Sequence, residues 1–301
     1  MFVTLRNEDL AVTIEDAGAQ LASIRDAKGT EYLWQGDPAI WNRRAPLLFP
    51  VVARLKDSRY ILNGKTYSMS IHGFCRSAPF TVKERSETSV TFAYQDTEET
   101  RAAYPFSFTL EVTYTLEGST LVKTHRVENR SSEPMLYELG GHDGYRAPLR
   151  EGESMSDYGV RLPEVTSITP YGMDAENMIT PKSRTWILKE GRISLKPSDY
   201  GLDTVIQDEL PQRAAELIDG AGNVRVRVEF DDFPFLGIWS ARKDFDVNYV
   251  CIEPWTSLPD AVFVGRELAE KRGVRTLAPG AAETLTYRVS FFPAQEYSKR
   301  I

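Results

Sequence analysis

Between Phe106 and Leu116 the chain alternates without a break. Phe106, Phe108, Leu110, Val112, Tyr114 and Leu116 are apolar, and Ser107, Thr109, Glu111, Thr113 and Thr115 lie between them. Successive side chains of a strand point to opposite faces, so a period of two describes a strand with one face buried and one wet. Glu117-Gly118 then turns the chain, and Leu121 to Glu128 reads as the returning hairpin strand. The alternation recurs in Val224, Val226, Val228 and Phe230, and again in Leu285, Tyr287, Val289 and Phe291. Asn63-Gly64 between Tyr60-Ile61-Leu62 and Tyr67 marks another hairpin. Shorter strand-like runs lie at Leu10 to Ile14, Leu21 to Ile24 and Val90 to Tyr94. Helical character is confined to Thr97 to Tyr104 and Gly265 to Lys271. The pattern predicts an all-β chain of many antiparallel strands.

No linker, low-complexity segment or fixed-period repeat divides the 301 residues. The polar, weakly periodic stretch from Arg150 to Thr185 reads as an elaborated loop region. The economical arrangement is one large two-sheet β-sandwich domain over residues 1–301, with a concave sheet face sized for a sugar or peptide. A net charge of −7 argues against nucleic acid, which requires a basic stripe to release counterions. No apolar stretch matches a bilayer, so no membrane partner is expected, and the start Met1-Phe2-Val3-Thr4 lacks the pattern of a secretory signal. Cys75 and Cys251 are too few and too isolated for a disulfide framework or zinc finger. The expected compartment is the cytoplasm. Nothing in the sequence sets the oligomeric state.

Three ionisable residues stand in unusual company. His72 lies in Ile71-His72-Gly73-Phe74, and His142 in Gly140-Gly141-His142-Asp143-Gly144. Glycine beside an ionisable group lets backbone or ligand come close. Glu253 is bracketed by Val250, Cys251, Ile252, Pro254 and Trp255, a setting that desolvates a carboxylate and raises its pKa. Two imidazoles and a tuned carboxylate suit acid–base chemistry. His125, between Lys123 and Arg126 on a regular strand, reads as an ordinary strand residue. A zinc-hydrolase reading of the two histidines and Glu253 lacks the helical His-Glu-x-x-His spacing, so its three ligands would have to converge from separate strands. A glycosidase would need a second carboxylate, for which only Asp203 or Asp143 is at hand.

Several short stretches, taken in order, resemble the aldose 1-epimerase (galactose mutarotase) family in its divergent bacterial branch. They are Tyr32-Leu33-Trp34-Gln35-Gly36, Arg43-Arg44-Ala45-Pro46 with Leu48-Phe49-Pro50, and Arg54-Leu55-Lys56-Asp57. His72-Gly73-Phe74, Gly140-Gly141-His142, Phe235-Leu236-Gly237-Ile238-Trp239 and Cys251-Ile252-Glu253-Pro254-Trp255 follow, so the likeness runs over nearly the whole chain. The resemblance implies a β-supersandwich, no metal or organic cofactor, and interconversion of the α and β anomers of an aldose. It makes Glu253 the base on the C1 hydroxyl and His142 the acid to the ring oxygen, with His72 bonding the same region. Arg54 and Asp203 correspond to sugar-hydroxyl contacts, and Phe74 and Trp255 are counted with them as substrate-binding residues; Trp255, like Trp34 and Trp239, offers a ring suited to the C–H face of a sugar. The chain departs from the family after the second histidine. Members of this branch commonly carry a Pro and then an aromatic residue, whereas this chain reads His142-Asp143-Gly144-Tyr145. Asp143 is therefore a candidate contact for a substrate hydroxyl. Two alternatives stand beside a mutarotase of free aldoses. One is a non-catalytic carbohydrate-binding protein on the same fold, which would not require the acid–base set. The other is a hexose-6-phosphate mutarotase, for which Arg43, Arg44, Arg54, Lys56 and Arg76 supply cationic groups.

Overall fold

A computed structural model describes residues 1–174, 176, 178–196, 204–241, 247–263 and 265–293. The long alternating segments form the hairpin the sequence predicts. Phe108–Glu117 pairs antiparallel with Thr120–Asn129, and Ala282–Phe291 adds to the far side of the second strand. Among the described residues these three lie at the middle of a nine-stranded sheet. Its even-numbered side chains Leu110, Val112 and Tyr114 are buried, because the period of two delivers them all to one face. The Asn63-Gly64 hairpin forms as expected between Arg59–Leu62 and Lys65–Ser68. Both turn residues have positive φ, 51° and 75°, the conformation a two-residue turn needs to match strand twist.

Among the described residues a second, eight-stranded sheet is built from shorter pieces. Its central strand, Tyr249–Trp255, lies between Phe235–Trp239 on one side and Gly140–Gly141 with Asp143–Arg146 on the other. Thr204–Asp208 and Tyr171–Met173 extend it one way, and Leu47–Leu48 the other. Leu110 and Tyr287 of the large sheet share one apolar cluster with Leu236, Ile238, Val250 and Ile252 of the smaller one. Two antiparallel sheets closing on that cluster make a β-sandwich.

Two expectations need correction. Gly265 to Lys271 holds only a turn of 3₁₀ helix at Leu268–Glu270, whereas Glu98–Ala103 is helical. Thr97 caps that helix by accepting the Thr100 backbone N–H, which the other segment lacks. The Arg150 to Thr185 stretch is no plain loop. It contributes Gly159–Arg161, Ser167–Ile168, Tyr171–Met173 and Ile179–Lys182 to sheets. Strands of two to four residues are too short to display a period, which is why the sequence hides them.

Candidate active site

The strand Tyr249–Trp255 is buried at every position, so burial alone does not separate its two faces. Pairing does. Glu253 and Trp255 point to the same side, Val250 and Ile252 to the other. On the neighbouring strand the register runs from Gly140↔Trp255 to Asp143↔Ile252, which carries His142 directly opposite Glu253. His142 Nδ1 lies 3.4 Å from Glu253 Oε1. No hydrogen bond is formed there, and both Nδ1 and Glu253 Oε2 are buried without a partner. Glycines make room for the aromatic floor. A Cβ on Gly237 would sit 2.6 Å from Trp255 Cζ2, and one on Gly140 2.8 Å from Trp255 Cδ1. The indole therefore lies across both neighbouring strands because neither carries a side chain at those positions.

These groups open into a cavity of about 330 Å³. His72, Arg54 and Trp255 line it too, so the structure brings together five of the predicted residues. His72 holds a backbone φ of 64°, a region costly for a non-glycine residue, and strain of this kind gathers at functional sites. Two bonds to one residue hold it there: its N–H donates to the Ala53 carbonyl at 2.9 Å, and its Nδ1 accepts the Ala53 N–H at 3.1 Å. Nδ1 is thereby fixed as the acceptor, so the neutral ring carries its hydrogen on Nε2.

A stack of rings supports the second histidine. Trp34 lies on Tyr249 at 4.7 Å, Tyr249 on Trp41 at 5.3 Å, and Trp41 on His142 at 5.1 Å. Trp239 and His72 meet the same imidazole edge-on, at 5.4 and 5.2 Å. Enclosed in this way, His142 has its pKa pushed down to about 3 by desolvation. His72 is likewise held well below the usual histidine value, by burial first and then by His142, Arg76 and Arg54. Glu253 moves the opposite way. Burial raises it well above the usual carboxylate value, opposed by the Trp255 indole N–H and reinforced by the charge of Asp143. All three groups are thus biased to their neutral forms.

Three predicted contacts fall elsewhere. Asp143 is a correction: adjacent strand residues face opposite ways, so it points into the core while His142 points into the cavity. It is 1% exposed and accepts two hydrogen bonds from Lys123 Nζ, at 2.8 and 3.0 Å. The hydroxyls of Tyr287 and Tyr145 also donate to it, at 3.0 and 3.3 Å. Phe74 is a second correction. Its ring packs into the apolar interior with Phe108, Tyr104 and Phe49, away from the cavity wall. Asp203 lies outside the described residues. His125 is buried on its strand and stacks on Tyr287.

The sequence also passes over residues the cavity uses. Trp41 covers His142, yet no glycine context or period marks it; only its place two residues before Arg43-Arg44 was a signal. Arg43, Arg54 and Arg76 all line the cavity, whereas Arg44 and Lys56 do not. Among the described residues none of the three is ion-paired, and burial together with Arg43 lowers the pKa of Arg76. As for metals, one N, S, O set exists among the described residues: the ligand atoms of His142, Cys251 and Glu253 all lie within 4.8 Å of one another.

The aldose 1-epimerase family profile matches residues 1–290. The chain belongs to that family. It is 33% identical to the plasmid-borne protein LacX of Lactococcus lactis over 298 residues, covering 96% of this chain and 99% of LacX. Among solved structures, a galactose mutarotase related enzyme from Lactobacillus acidophilus matches with a TM-score of 0.90 and 34% identity, over 97% of this chain and 98% of that one. A galactose mutarotase-like protein from Lactobacillus casei matches with a TM-score of 0.88 and 30% identity, over 97% of this chain and 100% of that one. The family's β-supersandwich is therefore the fold of this chain, and a sugar is the class of ligand its family implies.

Proposed function

We propose that the protein is a cytosolic aldose 1-epimerase that opens and recloses a sugar ring with the pair Glu253 and His142. The observation that carries this reading is their apposition: two buried ionisable groups 3.4 Å apart, each with an unpartnered polar atom, at the floor of a sugar-sized cavity. Burial favours a neutral pair that holds one proton, on Glu253. Transfer of that proton to His142 Nδ1 gives an imidazolium and a carboxylate, the acid and base that ring opening requires. The carboxylate takes the C1 hydroxyl proton, the imidazolium protonates the ring oxygen, and the C1–O5 bond breaks. The open-chain aldehyde then faces a neutral pair again. Rotation about C1–C2 and reversal of the steps closes the other anomer. His72 stays neutral and offers its Nε2 hydrogen to the same region of the sugar. Only protons move, and all return.

Exchange NMR or polarimetry on freshly dissolved aldoses tests this. Catalysed anomer exchange that disappears in both Glu253→Gln and His142→Asn is the expected result. A protein that binds aldoses without speeding their exchange would instead be a carbohydrate-binding protein on the same fold.

The arginines favour a second reading of the substrate, a phosphorylated aldose. Arg43, Arg54 and Arg76 crowd one cavity without an ion pair among the described residues, and a phosphate would relieve their mutual repulsion through charge-assisted hydrogen bonds. A hexose 6-phosphate turned over with higher kcat/KM than the free hexose supports it, provided Arg76→Ala removes the advantage. Equal kcat/KM for the two sugars removes it.

A further inference from the structure

Cys251 has no part in the proton chemistry, yet it lies two residues before Glu253 on one strand, so both side chains point the same way. Its thiol, one ring nitrogen of His142 and one Glu253 oxygen lie within 4.8 Å of one another. His142 Nδ1 and Glu253 Oε1 are 3.4 Å apart, close to the ligand-to-ligand separation of a tetrahedral ion with bonds of about 2.0–2.3 Å. Two features point to a missing ligand. His142 Nδ1 and Glu253 Oε2 are buried without a hydrogen-bond partner, and both residues line the cavity that would admit an ion. Imidazole, thiolate and carboxylate together suit a borderline-soft divalent cation such as zinc or cadmium, with the fourth position open to water.

We propose that this triad is an inhibitory site for thiophilic divalent cations. Binding is a proton-for-metal exchange: the ion displaces the thiol proton of Cys251 and the carboxyl proton of Glu253, and takes the lone pair of His142 Nδ1. The ion takes the place of two protons, so affinity falls as pH falls. A bound ion removes the lone pair and the carboxylate that the proposed ring opening uses, so the inhibition, though not the site, rests on that reading.

Cadmium titration of the full-length protein tests the site without any assay of activity. A thiolate-to-cadmium charge-transfer band should appear in the ultraviolet at one equivalent, with two protons released. Cys251→Ser and Cys251→Ala should lose the band and weaken cadmium binding by more than about a hundredfold, the upper cost of losing a mere outer-shell partner. Both variants should keep wild-type mutarotation and resist inhibition by cadmium or zinc to the same degree. No band in the wild type, or equal inhibition of wild type and both cysteine variants, overturns the proposal. A band in a protein that shows no mutarotase activity would uphold the site and sink the catalytic reading alone.

Discussion

His142 and Asp143 are consecutive, both nearly fully buried, and opposite in every other respect. Asp143 faces the interior between the sheets, where Lys123, Tyr145 and Tyr287 satisfy its oxygens. His142 faces the cavity opposite Glu253, and each of that pair keeps a buried polar atom with no partner. Leaving a buried donor or acceptor unpaired costs about 1–3 kcal/mol, so stability alone does not explain the cavity side. One face of the strand pair is built for cohesion. On the other, unmet hydrogen-bonding capacity is kept ready for a ligand, a marker of function that burial by itself does not provide.

The largest expected effect breaks the cavity face. Glu253→Gln keeps the shape and removes both the proton acceptor and the shared proton, and turnover should fall by about 10⁴-fold, the upper range for an acid–base group. The fold should gain from the same change. Glu253 has its raised pKa only when folded, so its contribution to stability is complete below the ordinary 4.5 and is lost as pH rises through the folded value. The variant's melting temperature should therefore exceed the wild type's near neutral pH, with the gap closing below pH 4.5. A uniform gap at every pH would show that Glu253 is not protonated by burial.

The core face should answer in the opposite currency. Asp143→Ala strands the Lys123 ammonium in the interior, where burial already pushes its pKa down despite the ion pair. Urea denaturation should show a loss of about 3–5 kcal/mol, the usual result of breaking a buried pair from one side. The double variant Asp143→Ala with Lys123→Met should recover most of it, because the uncompensated charge is gone. Preference among galactose, glucose and mannose should remain as in the wild type. A changed preference would return Asp143 to the sugar site.

Much of this was legible in the chain. The period of two named the all-β class, and glycine or apolar flanks singled out His72, His142 and Glu253, all of which line the cavity. Asp143 was misplaced for a plain reason. Proximity in sequence to a site residue was read as proximity in space, yet adjacent strand residues diverge. The same rule, applied to His142, assigns Asp143 to the opposite face without any coordinates. Trp41 was hidden for another reason, since it reaches the cavity from a segment outside any strand, whose path no periodicity encodes, whereas Arg43, Arg54 and Arg76 were already named as cationic groups for a phosphate.

The pH dependence of turnover sharpens the comparison further. The one-proton pair is the working form, lost when a second proton binds and lost again when the first leaves, so the profile is bell-shaped. The acidic limb belongs to His142 near pH 3 and the alkaline limb to the raised carboxylate, the reverse of the ordinary order for these side chains. Stability linked to His142 runs with the acidic limb: its folded pKa is depressed, so that stability is lost as pH falls from the ordinary 6.5 towards about 3.

The smallest expected effect concerns what keeps His142 neutral. Desolvation leads the causes of its low pKa, and Trp41 covers one face of the ring at 5.1 Å. Trp41→Ala admits water to that face, so the acidic limb should move up from about 3 towards 6.5. Turnover near neutral pH should change by less than about tenfold, or about 1.4 kcal/mol, because no proton-carrying group is removed. Trp41→Phe retains a stacked ring and should hold the limb near its original place. Trp34→Phe, two rings further down the stack, touches Tyr249 and not His142, and should leave the limb unmoved. Should Trp41→Ala leave the limb where it was, the ring stack would be packing like that around Asp143. The depressed pKa would then have to come from Trp239 and His72, the two rings that meet the imidazole edge-on.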